Sequence, residues 1–70
     1  MSAVAERRLK KIMEEVRPGS AISAYNLKMK YIDRHGTNFL PSRVALGMLM
    51  ARMDGVEYYI EDKVVYYRKV

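Results

Sequence analysis

Residues 54–68, DGVEYYIEDKVVYYR, distinguish this chain from an all-helical protein. Two runs rich in β-branched and aromatic residues, 56–60 and 64–68, stand on either side of the polar triplet Glu61-Asp62-Lys63. Strand-forming runs around a short polar segment are typical of a β-hairpin. A hairpin that follows helical segments is the pattern of an α+β protein.

Strand alternation predicts which side chains of the hairpin share a face. Val56, Tyr58 and Ile60 are two residues apart, so we expect them on the same side of the first strand. The sequence does not determine the register between the two strands. The face occupied by Tyr59 and by Tyr67 therefore stays open.

Three helices are predicted before the hairpin, over residues 3–16, 24–34 and 41–53. In the first two, apolar residues recur at three- and four-residue spacing, which places them on one face of each helix. These inward residues are Ala5, Leu9, Ile12, Met13 and Val16 in the first helix, and Ala24, Leu27 and Tyr31 in the second.

Capping and turn residues mark the ends of the predicted helices. Ser23 is a good N-cap for the second helix, and Gly36 suits the left-handed position after its end. Pro41 is expected at the first position of the third helix, which Asp54-Gly55 terminates. Ile22, just before the second helix, can form a single short strand.

The third helix has no charged or polar side chain from Val44 to Ala51. We expect Val44, Met48 and Ala51 to face the core, which leaves other apolar residues on the remaining faces. A neighbouring subunit can cover them, thymine methyl groups can contact them, or the hairpin and first helix can enclose them. We expect enclosure for part of this surface and a dimer for the remainder.

Length and composition indicate one small domain spanning residues 1–70. Seventy residues, half of them hydrophobic and 30% charged, suit a compact domain with a small core. The absence of cysteine excludes a disulfide, a thiolate nucleophile and a cysteine–zinc site. Residues 1–6 have neither a basic segment nor a long apolar run, so we expect no signal peptide, no membrane segment and a cytoplasmic location.

The sequence offers little that is typical of an enzyme. His35 is the only imidazole, and it lies at the predicted end of the second helix, where a cation is favoured. The adjacent carboxylates Glu14-Glu15 and Glu61-Asp62 belong to a helix face and a turn. Neither a glycine-rich phosphate loop nor a metal-ligand spacing is present. We expect no catalytic residue, no metal and no cofactor.

The charge balance favours a polyanionic partner. Thirteen basic and eight acidic side chains give a net charge of +5, and the sequence pI is about 9.7. The hairpin contributes none of this excess, because three basic and three acidic residues lie in 56–70. Glu61 and Asp62 at its turn would repel a phosphate backbone. The helices therefore carry the positive charge.

The order of elements resembles the winged helix-turn-helix family, in which a third helix lies in the DNA major groove and a hairpin forms the wing. The matching segments are 22–27 at the start of the second helix, 41–44 at the start of the third, and 54–57 and 62–67 in the hairpin. The size and the Tyr-, Met-, Lys- and Arg-rich composition are similar to small regulators of archaea and of their viruses and plasmids.

The resemblance implies a set of DNA-contacting residues. Ser42 and Arg43 would face base edges, because residues near the start of the third helix do so in this family. Arg43 can donate two hydrogen bonds to guanine, or it can be a solvated side chain or pair with Asp54. The candidates for phosphate contacts are Thr37 and Asn38 in the turn, Asn26, Lys28, Lys30 and Arg34 on the second helix, and Lys63 on the wing.

The sequence thus predicts a double-stranded DNA-binding protein and transcriptional regulator. A homodimer is expected, with the first helix as the first candidate interface and the hairpin as the second. The alternative is a protein–protein adaptor of the same fold that docks through the apolar third helix and the tyrosine-rich hairpin.

Overall fold

The computed structural model describes residues 3–70; Met1 and Ser2, on which part of the signal-peptide expectation rests, lie outside them. It contains three α-helices and a three-stranded antiparallel sheet, so the predicted α+β class is confirmed. The elements are α1 Ala3–Glu14, β1 Ala21–Ser23, α2 Ala24–His35, α3 Arg43–Ala51, β2 Val56–Glu61 and β3 Val64–Lys69. Within the described part of the chain, none of the helices has the length and apolar character needed to cross a membrane.

The sheet has the order β1-β3-β2, with β3 in the centre. The short strand predicted near Ile22 is confirmed, and Ile22 pairs with Tyr67 of β3. Strands β2 and β3 form the predicted hairpin around a two-residue turn. Asp62 and Lys63 in this turn have φ angles of 51° and 65°, the positive values of a type I′ turn, whose twist matches that of the strands.

The register places the tyrosines of the hairpin on opposite faces. Tyr58 pairs with Tyr67, and Tyr67 packs into the core. Tyr59 pairs with Tyr66 on the outer face, where the two rings stack at a centroid distance of 5.2 Å. The alternation predicted for β2 is confirmed, but only Val56 of its inner face packs against the core.

One hydrophobic cluster contains the buried side chains of all three helices and the sheet. Its members are Ala5, Leu9, Ile12 and Met13 of α1, Leu27 and Tyr31 of α2, Leu46, Leu49 and Met50 of α3, and Tyr67 of β3. The inward faces predicted for the first two helices are therefore confirmed, with Val16 and Ala24 partly buried at the edge of the cluster.

The face predicted for the third helix is wrong. Val44 is 73% exposed and Met48 51% exposed, whereas the buried residues of α3 are Leu46, Leu49 and Met50. A helix that is apolar on every side has no hydrophobic periodicity to indicate its inward face. The expected enclosure of part of the other apolar surface is found, because Leu46, Leu49 and Met50 are buried with residues of α1 and Tyr67. The exposed remainder of α3 is the face of Val44 and Met48.

The predicted boundaries of the third helix also need correction. It begins at Arg43 rather than Pro41, because Ser42 is extended and its hydroxyl accepts a hydrogen bond from the Ala45 amide at 3.2 Å. Pro41 therefore precedes the N-cap. The helix ends at Ala51 rather than Met53, whose amide bonds the Met50 carbonyl in a tighter turn.

The ends of α1 and α2 differ from the predictions by one or two residues. Helix α1 stops at Glu14, since the amides of Glu15 and Val16 bond carbonyls only three residues back. Helix α2 continues to His35, and Ser23 caps its start as predicted. Gly36 has the predicted positive φ, 67°, but its ψ of −157° lies outside the left-handed helical region.

Candidate nucleic-acid interface

An open groove lies between the start of α2, helix α3 and the hairpin. It has a volume of about 930 Å³ and is lined by residues drawn from 24–28, 40–51 and 63–67 and by Tyr58. We call it the α3 groove. Two of the predicted site residues, Ser42 and Arg43, lie at its edge where α3 begins, and Lys28 and Lys63 reach it from α2 and from the hairpin turn.

The ionic side chains of the α3 groove are all basic. Lys28, Arg43 and Lys63 line it, and no aspartate or glutamate does. None of these three cations has an ion-pair partner among residues 3–70, so the alternative pairing of Arg43 with Asp54 is not present. Uncompensated positive charge beside a concave surface attracts anions, and its effect is greatest at low ionic strength.

The start of α3 adds hydrogen-bond donors to this positive surface. Ser42 caps one backbone amide through its hydroxyl, and both Ser42 and Arg43 are exposed. The first amides of a helix have no partner within the helix, and the helix dipole makes this end partly positive. The geometry suits a negatively charged or hydrogen-bond-accepting partner.

The α3 groove also concentrates exposed apolar surface. Among residues 3–70, nine large hydrophobic side chains are exposed, and five of them line this groove. They are Tyr25, Val44, Met48, Tyr58 and Val64. Contiguous apolar surface of this kind marks an interaction site more often than scattered apolar residues do.

A cluster around Tyr31 positions the loop that leads into α3. The Tyr31 hydroxyl donates to the Phe39 carbonyl at 3.1 Å and accepts from the Arg8 guanidinium at 3.2 Å. Arg8 also donates to the Asn38 carbonyl at 3.3 Å and lies 5.8 Å from the ring centroids of Tyr31 and Phe39. Sequence reasoning missed this role because nothing separates Arg8 from the other charged residues of α1.

The structure places other predicted site residues away from the α3 groove. Asn26 and Lys30 line a second concavity, of about 760 Å³, together with Glu15 and Asp33. Arg34 forms an ion pair with Glu15, with one hydrogen bond of 2.6 Å. Carboxylates therefore accompany the basic residues on that side of α2.

Thr37 and Asn38 are exposed in the loop between α2 and α3 but do not line the groove. Their backbone carbonyls accept hydrogen bonds from within the loop and from α1. The Thr37 carbonyl accepts from the Leu40 amide at 3.1 Å, and the Asn38 carbonyl accepts from Arg8. Of the predicted residues, the structure thus brings together Lys28, Ser42, Arg43 and Lys63.

Neighbouring residues and burial shift the pKa values of several titratable groups near this region. The hydrogen bond from Arg34 lowers the pKa of Glu15. Partial burial, with the charges of Arg8 and Arg34, lowers the pKa of His35. His35 lies in the last turn of α2 beside Arg34, at the helix end where the sequence places it. Burial raises the pKa of Tyr67 at the base of the groove.

No family model, curated protein or solved structure matches this chain. Within residues 3–70, no group of three or more His, Asp or Glu side chains is placed to hold a metal ion.

Proposed function

We propose that this chain is a winged helix-turn-helix protein that binds double-stranded DNA through the α3 groove and acts as a transcriptional regulator. The observation that carries the proposal is the exposed start of α3 beside three unpaired cations from three different elements, with no carboxylate lining the groove.

The arrangement of elements supports this proposal. Helices α2 and α3 would form the helix-turn-helix, and strands β2 and β3 would form the wing. An α-helix with its side chains is about 10–12 Å in diameter, so α3 can enter the major groove, which is about 12 Å wide. In such docking, residues in the first turn of the recognition helix approach the base edges.

The charged residues take different roles in this proposal. Arg43 contacts guanine or a phosphate from the first turn of α3, and Lys28 and Lys63 contact phosphates from opposite sides of the groove. The wing contributes weakly, because Glu61 and Asp62 precede Lys63 at the turn and repel the DNA backbone.

We further propose that the regulator is a homodimer that associates through the hairpin. Helix α1 is the first candidate interface from the sequence, but its apolar residues are buried in the core of the protomer. Strand β2 is an edge strand, and Ile60 on it is 64% exposed. A two-fold dimer would read half-sites about one helical turn apart.

A protein–protein adaptor is the second candidate, and the five exposed apolar side chains of the α3 groove favour it. A hydrophobic groove is a common docking surface for an amphipathic helix. The adaptor needs no phosphate contacts, so the two candidates differ in their response to salt.

Duplex binding measured by fluorescence anisotropy over a range of salt concentrations tests the proposal. We expect affinity to fall steeply with salt, because phosphate contacts release counterions. Lys28→Ala should weaken binding and reduce the salt slope by about one unit. Lys30→Ala is the matched control, since it removes the same charge from the same helix but beside Glu15 and Asp33.

Arg43→Ala provides the second arm of this test. We expect it to weaken binding and to relax base preference, with a discrimination loss of about 1–3 kcal/mol if Arg43 contacts guanine. Arg7→Ala, an exposed site on α1, is its control. Absence of duplex binding at low salt, or equal effects of the groove variants and their controls, contradicts the proposal.

A further inference from the structure

We infer that the exposed face of α3 recognises the C5-methyl groups of thymine in the major groove. This inference rests on the proposed DNA binding and specifies which bases the site favours. The residues involved are Val44, Met48 and Ala51, which we call the α3 stripe.

The α3 stripe is an outward face made of apolar side chains alone. Its residues are spaced by four and three positions, so they lie on one side of the helix. All three are exposed and line the α3 groove, and Val44, at 73%, is the most exposed large apolar residue within 3–70. Burial of this surface against a partner is favourable, whereas in the free protein it contacts water.

Gly47 gives a second, independent observation at the same surface. It lies in the middle of α3 and lines the groove, and a Cβ built on it meets no atom within 4 Å. The internal packing therefore does not require glycine here, although glycine is unfavourable in a helix. A glycine beside the α3 stripe lets a partner approach the helix backbone more closely than a side chain would permit.

The chemistry of the major groove matches this surface to thymine. Among the four bases, thymine alone presents a methyl group there; the others present only hydrogen-bonding groups. From Val44 to Ala51 the helix has no polar side chain to pair with those groups. Desolvated base edges without partners are costly, so contacts with methyl groups are the favourable ones this helix can make.

The charges around the α3 stripe argue for DNA over a second copy of this chain. Lys28, Arg43 and Lys63 frame the groove without a carboxylate, so two such grooves placed face to face would repel each other. The phosphates that border the DNA major groove would instead pair with the three cations. The base edges would then contact the α3 stripe.

The test compares duplexes that differ by one methyl group per pyrimidine. Alternating adenine–thymine DNA is compared with adenine–uracil DNA, and alternating guanine–cytosine DNA with its 5-methylcytosine form. We expect each methylated duplex to bind more tightly, by about threefold to fourfold per contacted methyl, as burial of one methylene-sized group implies. The two pairs share no base pair, so a common preference is due to the methyl group.

Val44→Thr replaces one methyl of the α3 stripe by a hydroxyl and should reduce this preference in both pairs. Val70→Thr is the control, because it makes the same substitution at a residue that is 66% exposed and lies outside the groove. We expect Val70→Thr to keep the preference of the unaltered protein.

The outcomes separate this inference from the proposed function. Salt-dependent binding with equal affinity for methylated and unmethylated duplexes overturns the inference and leaves DNA binding in place. A preference retained in Val44→Thr also overturns it. No duplex binding at any salt concentration, with an acidic amphipathic peptide bound through Val44, overturns both proposals in favour of the adaptor.

Discussion

The Tyr31 hydroxyl lies 3.1 Å from the backbone carbonyl oxygen of Phe39 and donates a hydrogen bond to it. This bond joins the buried face of α2 to the loop before α3. Phe39 has a φ angle of 58°, a left-handed conformation that is uncommon for a bulky residue. Arg8 of α1 donates to the same hydroxyl, so α1 and α2 together hold the loop that leads to Ser42 and Arg43.

Tyr31→Phe should destabilise the protein by about 1–2 kcal/mol. The ring stays buried, but the Phe39 carbonyl and Arg8 each lose a hydrogen bond to the hydroxyl. Urea denaturation measures the loss, and Tyr25→Phe is the control because Tyr25 is 68% exposed. Equal denaturation midpoints for the two variants would show that the Tyr31 hydroxyl has no structural role.

Gly47→Ala should raise the free energy of unfolding by about 0.5–1 kcal/mol and weaken duplex binding. Alanine is the better helix former, and its Cβ meets no atom within 4 Å. The same methyl group would stand in the path of the DNA. Gly36→Ala is the contrasting control, since φ at Gly36 is 67° and a side chain there is strained. Unchanged duplex affinity in Gly47→Ala would contradict close approach at this position.

Two substitutions in the hairpin turn separate the effect of backbone strain on stability from the effect of charge on duplex affinity. Asp62 and Lys63 both have positive φ. Lys63→Gly should stabilise the hairpin by about 1 kcal/mol, whereas Asp62→Gly should change its stability little, because aspartate is already favoured at the first position of this turn. Their effects on duplex affinity should be opposite, because one removes a carboxylate and the other a groove cation. Thermal unfolding and anisotropy measure the two quantities. Affinity changes of the same sign would exclude an electrostatic role for Lys63.

His35 should make the stability of the fold depend on pH near neutrality. Its folded-state pKa lies below the ordinary value of 6.5, so unfolding takes up a proton as the pH falls below that value. The contribution is present above pH 6.5 and is lost as the pH falls through the lowered pKa. The urea concentration at the unfolding midpoint should decrease as the pH falls through this range. His35→Gln should make that decrease smaller.

The titration of Glu15 at lower pH provides a control for the effect of His35. The pKa of Glu15 lies below its ordinary value of 4.5, so its contribution is lost only at more acidic pH. His35→Gln should leave that lower window unchanged, whereas Glu15→Gln should flatten it. A midpoint that rises between pH 6.5 and 5 in the unaltered protein would contradict the lowered pKa of His35.

Hydrophobic spacing predicts the fold where the two sides of an element differ in polarity. The inward faces of α1 and α2 and the strands of the hairpin follow from it, since charged residues occupy the opposite sides. Helix α3 lacks that contrast, so hydrophobic spacing does not indicate its inward face. The start of α3 was also misplaced, because Pro41 and Ser42 are both suitable start residues and only the capping bond distinguishes them.

The sequence offers Lys28, Ser42, Arg43 and Lys63 as candidate site residues but does not predict that they converge. Ser42 and Arg43 follow from the position of one helix. The convergence of Lys28 and Lys63 on the same groove depends on how α2 and the hairpin pack, and the separate position of Lys30 beside Asp33 depends on the rotation of α2. The hydrogen bonds of Arg8 connect residues that are distant in sequence, so no local sequence pattern predicts them.

The central position of β3 has a consequence for biosynthesis. Both β1 and β2 take their partner from this strand, and Tyr67 on it closes the core. Until Val64–Lys69 has left the ribosome, the residues before it have an incomplete hydrophobic core, and β1 and β2 lack their common partner strand. Chaperones that bind exposed apolar segments, or proteases that cleave them, would therefore meet this chain before Val64–Lys69 emerges rather than after.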